Sequence, residues 1–136
     1  MGLLPATLLT RHSNIFYIVS MQGRRNQKCD PPGEFETLVL MAVLRLGNNA
    51  YGMRIHQEIE DRAGRRSSYG ALYTTLDRLE HKGYVSSSVG EPTPERGGRA
   101  KKFFKVDNMG KAALRQSYRA TQRMAEGIEP LLGGVL

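Results

Sequence analysis

The sequence predicts a mainly α-helical domain carrying a small β-hairpin, followed by one more helix. Three observations carry this. Apolar residues recur at helical spacing in three consecutive stretches between residues 33 and 83, separated by glycine-bearing joints. After Gly83 the pattern changes to two short strand-forming stretches around a loop rich in proline and glycine. From about Asn108 the helical period returns.

The elements follow in order. Pro31-Pro32-Gly33 punctuates the chain, and residues 1–32 read as a flexible N-terminal extension, with Met21 a candidate translation start. Phe35, Leu38, Val39, Ala42 and Leu46 then mark one face of a helix, with Glu34 and Glu36 in the first turn, where the helix dipole favours acids. Gly47-Asn48-Asn49 ends it. A second helix is expected from about Ala50 to Ala63, with Ile55 and Ile59 inward and Gly64 as its stop. Ser67 or Ser68 caps a third, whose buried stripe is Leu72, Leu76 and Leu79 and which closes at Gly83. Residues 84–89 and 103–106 form the hairpin strands. Three helices with tight joints followed by a hairpin make a winged helix-turn-helix, placed at residues 33–107.

From Asn108 the residues Leu114, Tyr118, Thr121, Ala125, Ile128 and Leu132 step alternately by four and three, a short heptad-like seam. Residues 108–132 are therefore expected to be a C-terminal dimerisation helix, its seam thinned by Thr121 and Ala125.

Composition bounds the partners. The chain has 136 residues and a formal net charge of +7. Residues 1–32 hold four cations against one acid and residues 33–136 sixteen against twelve, so the placement of charge matters more than its total. Five cations (Arg96, Arg99, Lys101, Lys102 and Lys105) crowd one stretch at the expected wing without an acid among them. The single cysteine, Cys29, excludes an intramolecular disulfide framework and a cysteine-rich zinc site, and fits a reducing cytoplasm. No apolar run approaches a membrane span, so no membrane partner is expected.

Enzyme readings find little support. The stretch GGRAKK lacks the spacing and terminal hydroxyl of a phosphate-binding P-loop. His56 and Glu60 share a helical face, yet a small metal-dependent enzyme would need a third ligand, and none is evident; no cofactor is expected. A winged-helix protein-interaction module without DNA binding is the other alternative, and the basic wing speaks against it.

Three segments carry a resemblance to a known family: FETLVLMAVLRLGNNAYGMRIHQEIE, GALYTTLDRLEHKGYV and GGRAKKFFKVDNMGKAAL. In their order and spacing the chain resembles the PadR family of bacterial transcriptional regulators over roughly residues 33–125, in its small form with a single C-terminal helix. Phe103-Phe104 stands where members commonly show tyrosine, and Asp107-Asn108 where the last helix often opens on threonine. The resemblance implies a homodimeric repressor on a double-stranded DNA operator, released by an apolar or aromatic small-molecule effector that the sequence does not identify.

A winged helix lays its third helix in the major groove and touches backbone or minor groove with the wing. With Leu72, Leu76 and Leu79 inward, the residues Ser67, Ser68, Gly70, Ala71, Thr74, Thr75 and Arg78 are expected on or near the outer side. Small and hydroxyl-bearing residues admit close approach to base edges, and Arg78 is expected on phosphate. Arg65 and Arg66 would clamp phosphate before the helix. Tyr73 can touch phosphate or pack beneath the wing. On the wing, Arg96, Arg99, Lys101 and Lys102 would meet the backbone, adding affinity but little sequence choice.

Overall fold

Gly33 stands extended ahead of helix α1 (Glu34–Leu46), and its N–H donates to Glu36 Oε1 at 2.8 Å, half of a capping box. The computed structural model describes residues 30–91 and 100–134; the expected N-terminal extension up to residue 29, with Met21 and Cys29, lies outside them. The deeply buried positions of α1 are Val39, Leu40, Ala42 and Val43, while Phe35, Leu38 and Leu46 are only partly covered. This corrects the expected single stripe. Helices α2 (Gly52–Ala63), α3 (Tyr69–His81) and α4 (Asn108–Ala125) and strand β2 (Lys102–Val106) all pack on α1. A helix covered from several sides buries more than one row of side chains.

Between α1 and α2 lie the 3₁₀ turn Gly47–Asn49 and an extended Tyr51. Helix α2 starts two residues later than expected because this segment pairs with the hairpin. Tyr51 bridges Phe103, and the Ala50 carbonyl accepts from the Phe104 N–H at 2.8 Å. Ile55 and Ile59 are buried as expected, and Gly64, at φ +63°, is the left-handed C-cap. In α3 the Ser68 hydroxyl accepts from the Ala71 N–H at 3.0 Å, while Leu72, Leu76 and Leu79 are fully buried.

Strand β1 (Val85–Val89) pairs antiparallel with β2, Val85 opposite Val106 and Ser87 opposite Phe104. Alternation along β2 sends Phe104 and Val106 into the core. The loop residues 92–99 between the strands, Arg96 and Arg99 included, lie outside the described residues.

Helix α4 docks by its first turns, where Gly110, Ala113 and Leu114 are buried. Two expectations for the C-terminal seam are corrected here. Leu114 belongs to the domain's own core, 8% exposed, instead of to an outward seam. The helix also stops at Ala125; Gly127 takes φ +77°, and Ile128 and Leu132 fall beyond it, Leu132 in a 3₁₀ turn (Glu129–Leu132) opened by Pro130 near its start. No described helix is long and apolar enough to cross a membrane.

Candidate nucleic-acid interface

The buried stripe of α3 fixes what its other side can offer. Ser68, Gly70, Ala71, Thr74 and Arg78 are exposed, together with Tyr69, Tyr73 and Asp77. Gly70, Thr74 and Asp77 are spaced by four and three and share one line along the helix. This face is shallow at its start, hydroxyl-bearing in its middle and carries one carboxylate that the sequence reading passed over.

Thr75 is a correction. It is 5% exposed, and its hydroxyl donates to the Ala71 carbonyl at 2.8 Å. It sits on the flank of the Leu72–Leu76–Leu79 stripe, where the hydroxyl can be satisfied only by its own helix. If α3 lies in a DNA groove as the sequence leads one to expect, replacing Thr74 by valine should alter which DNA sequences are preferred, while the same change at Thr75 should leave that preference untouched. Binding-site selection on both variants checks this.

The cations differ in how committed they are. Arg65 pairs with Glu34 and lies over the Phe35 ring, 5.1 Å from its centroid, whereas Arg66 is exposed. Ser67 is half-buried, its carbonyl 2.7 Å from His56 Nε2, and the His56 ring stacks on Tyr69 at 4.3 Å. Together these fix the joint leading into α3. Lys101 Nζ lies 4.2 Å from the Tyr51 ring centroid, and Lys102 Nζ lies 4.0 Å from Glu80 Oε1. Lys102 thus begins β2 beside α3 and Lys101 immediately precedes it, on the arm where wing cations were expected.

Beneath this surface Glu36 joins the start of α1 to the end of α3. Its carboxylate is 6% exposed and accepts from Lys82 Nζ at 3.1 Å on both oxygens, with Arg78 Nη1 at 3.7 Å. Arg78, expected on phosphate, therefore also has an internal partner. Burial alone would raise the Glu36 carboxyl. The Gly33 N–H, Lys82 and Arg78 together outweigh burial and hold it below its ordinary value of 4.5. A depressed carboxylate stabilises the fold above that ordinary value and stops doing so as pH falls through the lower folded value. Glu36→Gln should cost about 1.5–3 kcal/mol at neutral pH, the worth of hydrogen bonds to a charged group. Melting curves should show the gap between variant and parent closing as the buffer is acidified below that range.

Among the described residues no three metal-ligating side chains gather, so His56 and Glu60 have no partner there for an ion. On the far arm, Tyr118, Met124, Ile128, Leu131 and Leu132 are exposed, and Tyr118 lies on α4 itself. Of the expected seam, Thr121 is exposed and Ala125 half-buried.

A stacked helical pair whose second member presents a shallow polar face, flanked by a two-stranded wing with cationic roots, defines a winged helix-turn-helix protein. The model of the PadR-like transcriptional regulator family matches residues 40–116, and this chain belongs to that family. Transcriptional regulator Rv3488 of Mycobacterium tuberculosis is 36% identical over 87 residues, 64% of this chain and 74% of that protein. The fold is shared with a PadR-like transcriptional regulator from Bacillus cereus (TM-score 0.60, 16% identity, covering 74% of this chain and 93% of the other). It is shared too with a PadR family transcription regulator from Clostridium difficile (TM-score 0.58, 19% identity, 72% and 98%). Members of this family are transcription regulators, not enzymes.

Proposed function

We propose that this protein is a cytoplasmic, homodimeric repressor that binds a near-palindromic DNA operator and is released by an apolar or aromatic small molecule. The observation that carries the DNA reading is the outer face of α3, where Ser68, Gly70, Ala71 and Thr74 are exposed beside Lys101 and Lys102 at the start of the second hairpin arm. Small residues let the helix approach base edges, Thr74 can bond several of them, and Asp77 can accept from a cytosine amino group. Arg65, Arg66, Arg78, Arg96, Arg99, Lys101 and Lys102 would hold phosphates, with Arg65 and Arg78 exchanging their present carboxylate partners for DNA.

Dimerisation is supported by the large apolar side chains left uncovered at the C-terminal end. Met124 is 79% and Leu131 81% exposed, more than a lone domain ordinarily leaves to water at one end. Tyr118, Thr121, Ala125, Ile128 and Leu132 remain the proposed contact, with Leu114 as its root in the core. Two copies would set their α3 helices into successive major grooves about 34–36 Å apart. Selection of bound sequences from a random duplex pool tests this. Two inverted half-sites, centred roughly one helical turn apart, are expected. Enrichment of a single unpaired site, or of no sequence, would overturn the dimeric reading or the sequence-specific one respectively.

A further inference from the structure

One buried carboxylate ties the last turn of α3 to the first turn of α1. Glu36 accepts from the Gly33 N–H at 2.8 Å and from Lys82 Nζ at 3.1 Å on each oxygen, and its side chain is 7% exposed. Those contacts satisfy it. Arg78 Nη1 stands further off, 3.7 Å from Glu36 Oε2, and the Arg78 side chain is 54% exposed. The carboxylate therefore gives up little hydrogen bonding if Arg78 leaves, and the guanidinium has an acid on one side and water on the other. Arg78 lies one turn beyond Thr74, which is on the exposed face of α3. A half-exposed ion pair of this kind is worth little, so a second anion can break it.

We propose that Glu36 is an internal competitor for Arg78, a positioning residue that holds this cation back and so keeps down the affinity for duplex of any sequence. The proposal rests on the DNA-binding reading above. It gives a binding role to a carboxylate too buried to reach DNA itself. A phosphate near Arg78 must draw the guanidinium from an anion already in place, so breaking that contact offsets part of what counterion release contributes. Lys82 is freed less readily. It is 31% exposed and lies 5.8 Å from the Tyr84 ring centroid, on the core side. Glu36 thus has two effects of opposite sign: through Gly33 and Lys82 it stabilises the fold, and through Arg78 it weakens DNA binding.

The test is binding of the full chain to a random-sequence duplex over a series of salt concentrations, with circular dichroism showing each variant folded at the temperature used. Glu36→Gln should tighten binding by about three- to tenfold for a dimer at moderate salt, and steepen the log–log salt slope by up to about one per protomer. A merely structural role predicts no such gain, since a destabilised domain binds no better. In an Arg78→Gln background the same substitution should add little, because the cation to be released is gone. Where Glu36→Gln unfolds, Glu36→Asp keeps the charge with a shorter reach and should tighten binding in the same direction by less. Unchanged or weaker binding by whichever Glu36 variant is folded would overturn the competition and leave the DNA reading standing. A gain that persists in full without Arg78 would also overturn it, since the lost charge would then be acting at long range. Failure of the parent protein to bind the duplex would overturn the DNA reading and the competition together.

Discussion

Replacing Gly110 by alanine is expected to destabilise the protein by about 2–3 kcal/mol, the cost of overpacking a tight contact. The sign is the point. Gly110 lies inside α4, and helix propensity alone makes alanine there better by about 1 kcal/mol. A Cβ at this position, however, would sit 2.2 Å from the Tyr84 carbonyl oxygen and 2.9 Å from Val106 Cγ1. The Tyr84 carbonyl cannot yield, because it accepts from the Asp107 N–H at 2.9 Å and Tyr84 itself is fully buried. The helix must therefore lift from the hairpin base, carrying Ala113 and Leu114 with it. Thermal melts should show a fall of roughly 4–8 °C per kcal/mol for a domain of this size. An unchanged or raised melting temperature would mean that α4 is not seated as described.

Removing the four wing cations should have the largest effect on binding. Substituting Arg96, Arg99, Lys101 and Lys102 together by alanine takes away charge that is fixed at the root of β2 and continues into the adjoining loop sequence. Phosphate contacts release counterions whatever the base sequence, so affinity for operator and random duplex should fall in parallel, by at least about a thousandfold at moderate salt. Lys102 contributes the least of the two described lysines, being already drawn to Glu80 and half-exposed, where an ion pair is worth little. Fluorescence anisotropy on both duplexes checks the parallel loss. A loss confined to the operator would show that the wing reads sequence.

Some of this architecture was legible from the residues alone. The stripe of Leu72, Leu76 and Leu79, the Ser68 cap and the glycine stops at Gly64 and Gly83 are local signals, and helices bounded by such signals need little from the rest of the chain. What escaped was tertiary. The bridge from Tyr51 to Phe103 is one residue long and leaves no periodic trace, yet it delays α2. The core face of α1 is wider than the expected stripe, taking in Leu40 and Val43 beside Val39 and Ala42, because three helices and a strand cover it. Thr75 looked like its neighbour Thr74, since chemical type does not record a rotation of one residue about a helix. Leu114 fitted the alternation of fours and threes but is claimed by its own core, and Gly127 interrupts the seam before Ile128 and Pro130 before Leu132. By propensity alone, glycines such as Gly52 and Gly110 weaken the helices that hold them. Their role is the close approach of Tyr73 and of Tyr84, which only the folded chain reveals.

In the proposed function the protein grips DNA electrostatically through its wing and α3 and chooses sequence with the small residues of α3. Titrating the purified protein with the promoter of its own gene and with a random duplex, across a range of salt concentrations, tests that most directly. With about four phosphates neutralised per protomer, log affinity should fall against log salt with a slope on the order of −7 for the dimer, and the promoter should bind more tightly at every salt concentration. A flat salt response, or equal affinity for the two duplexes, would contradict it.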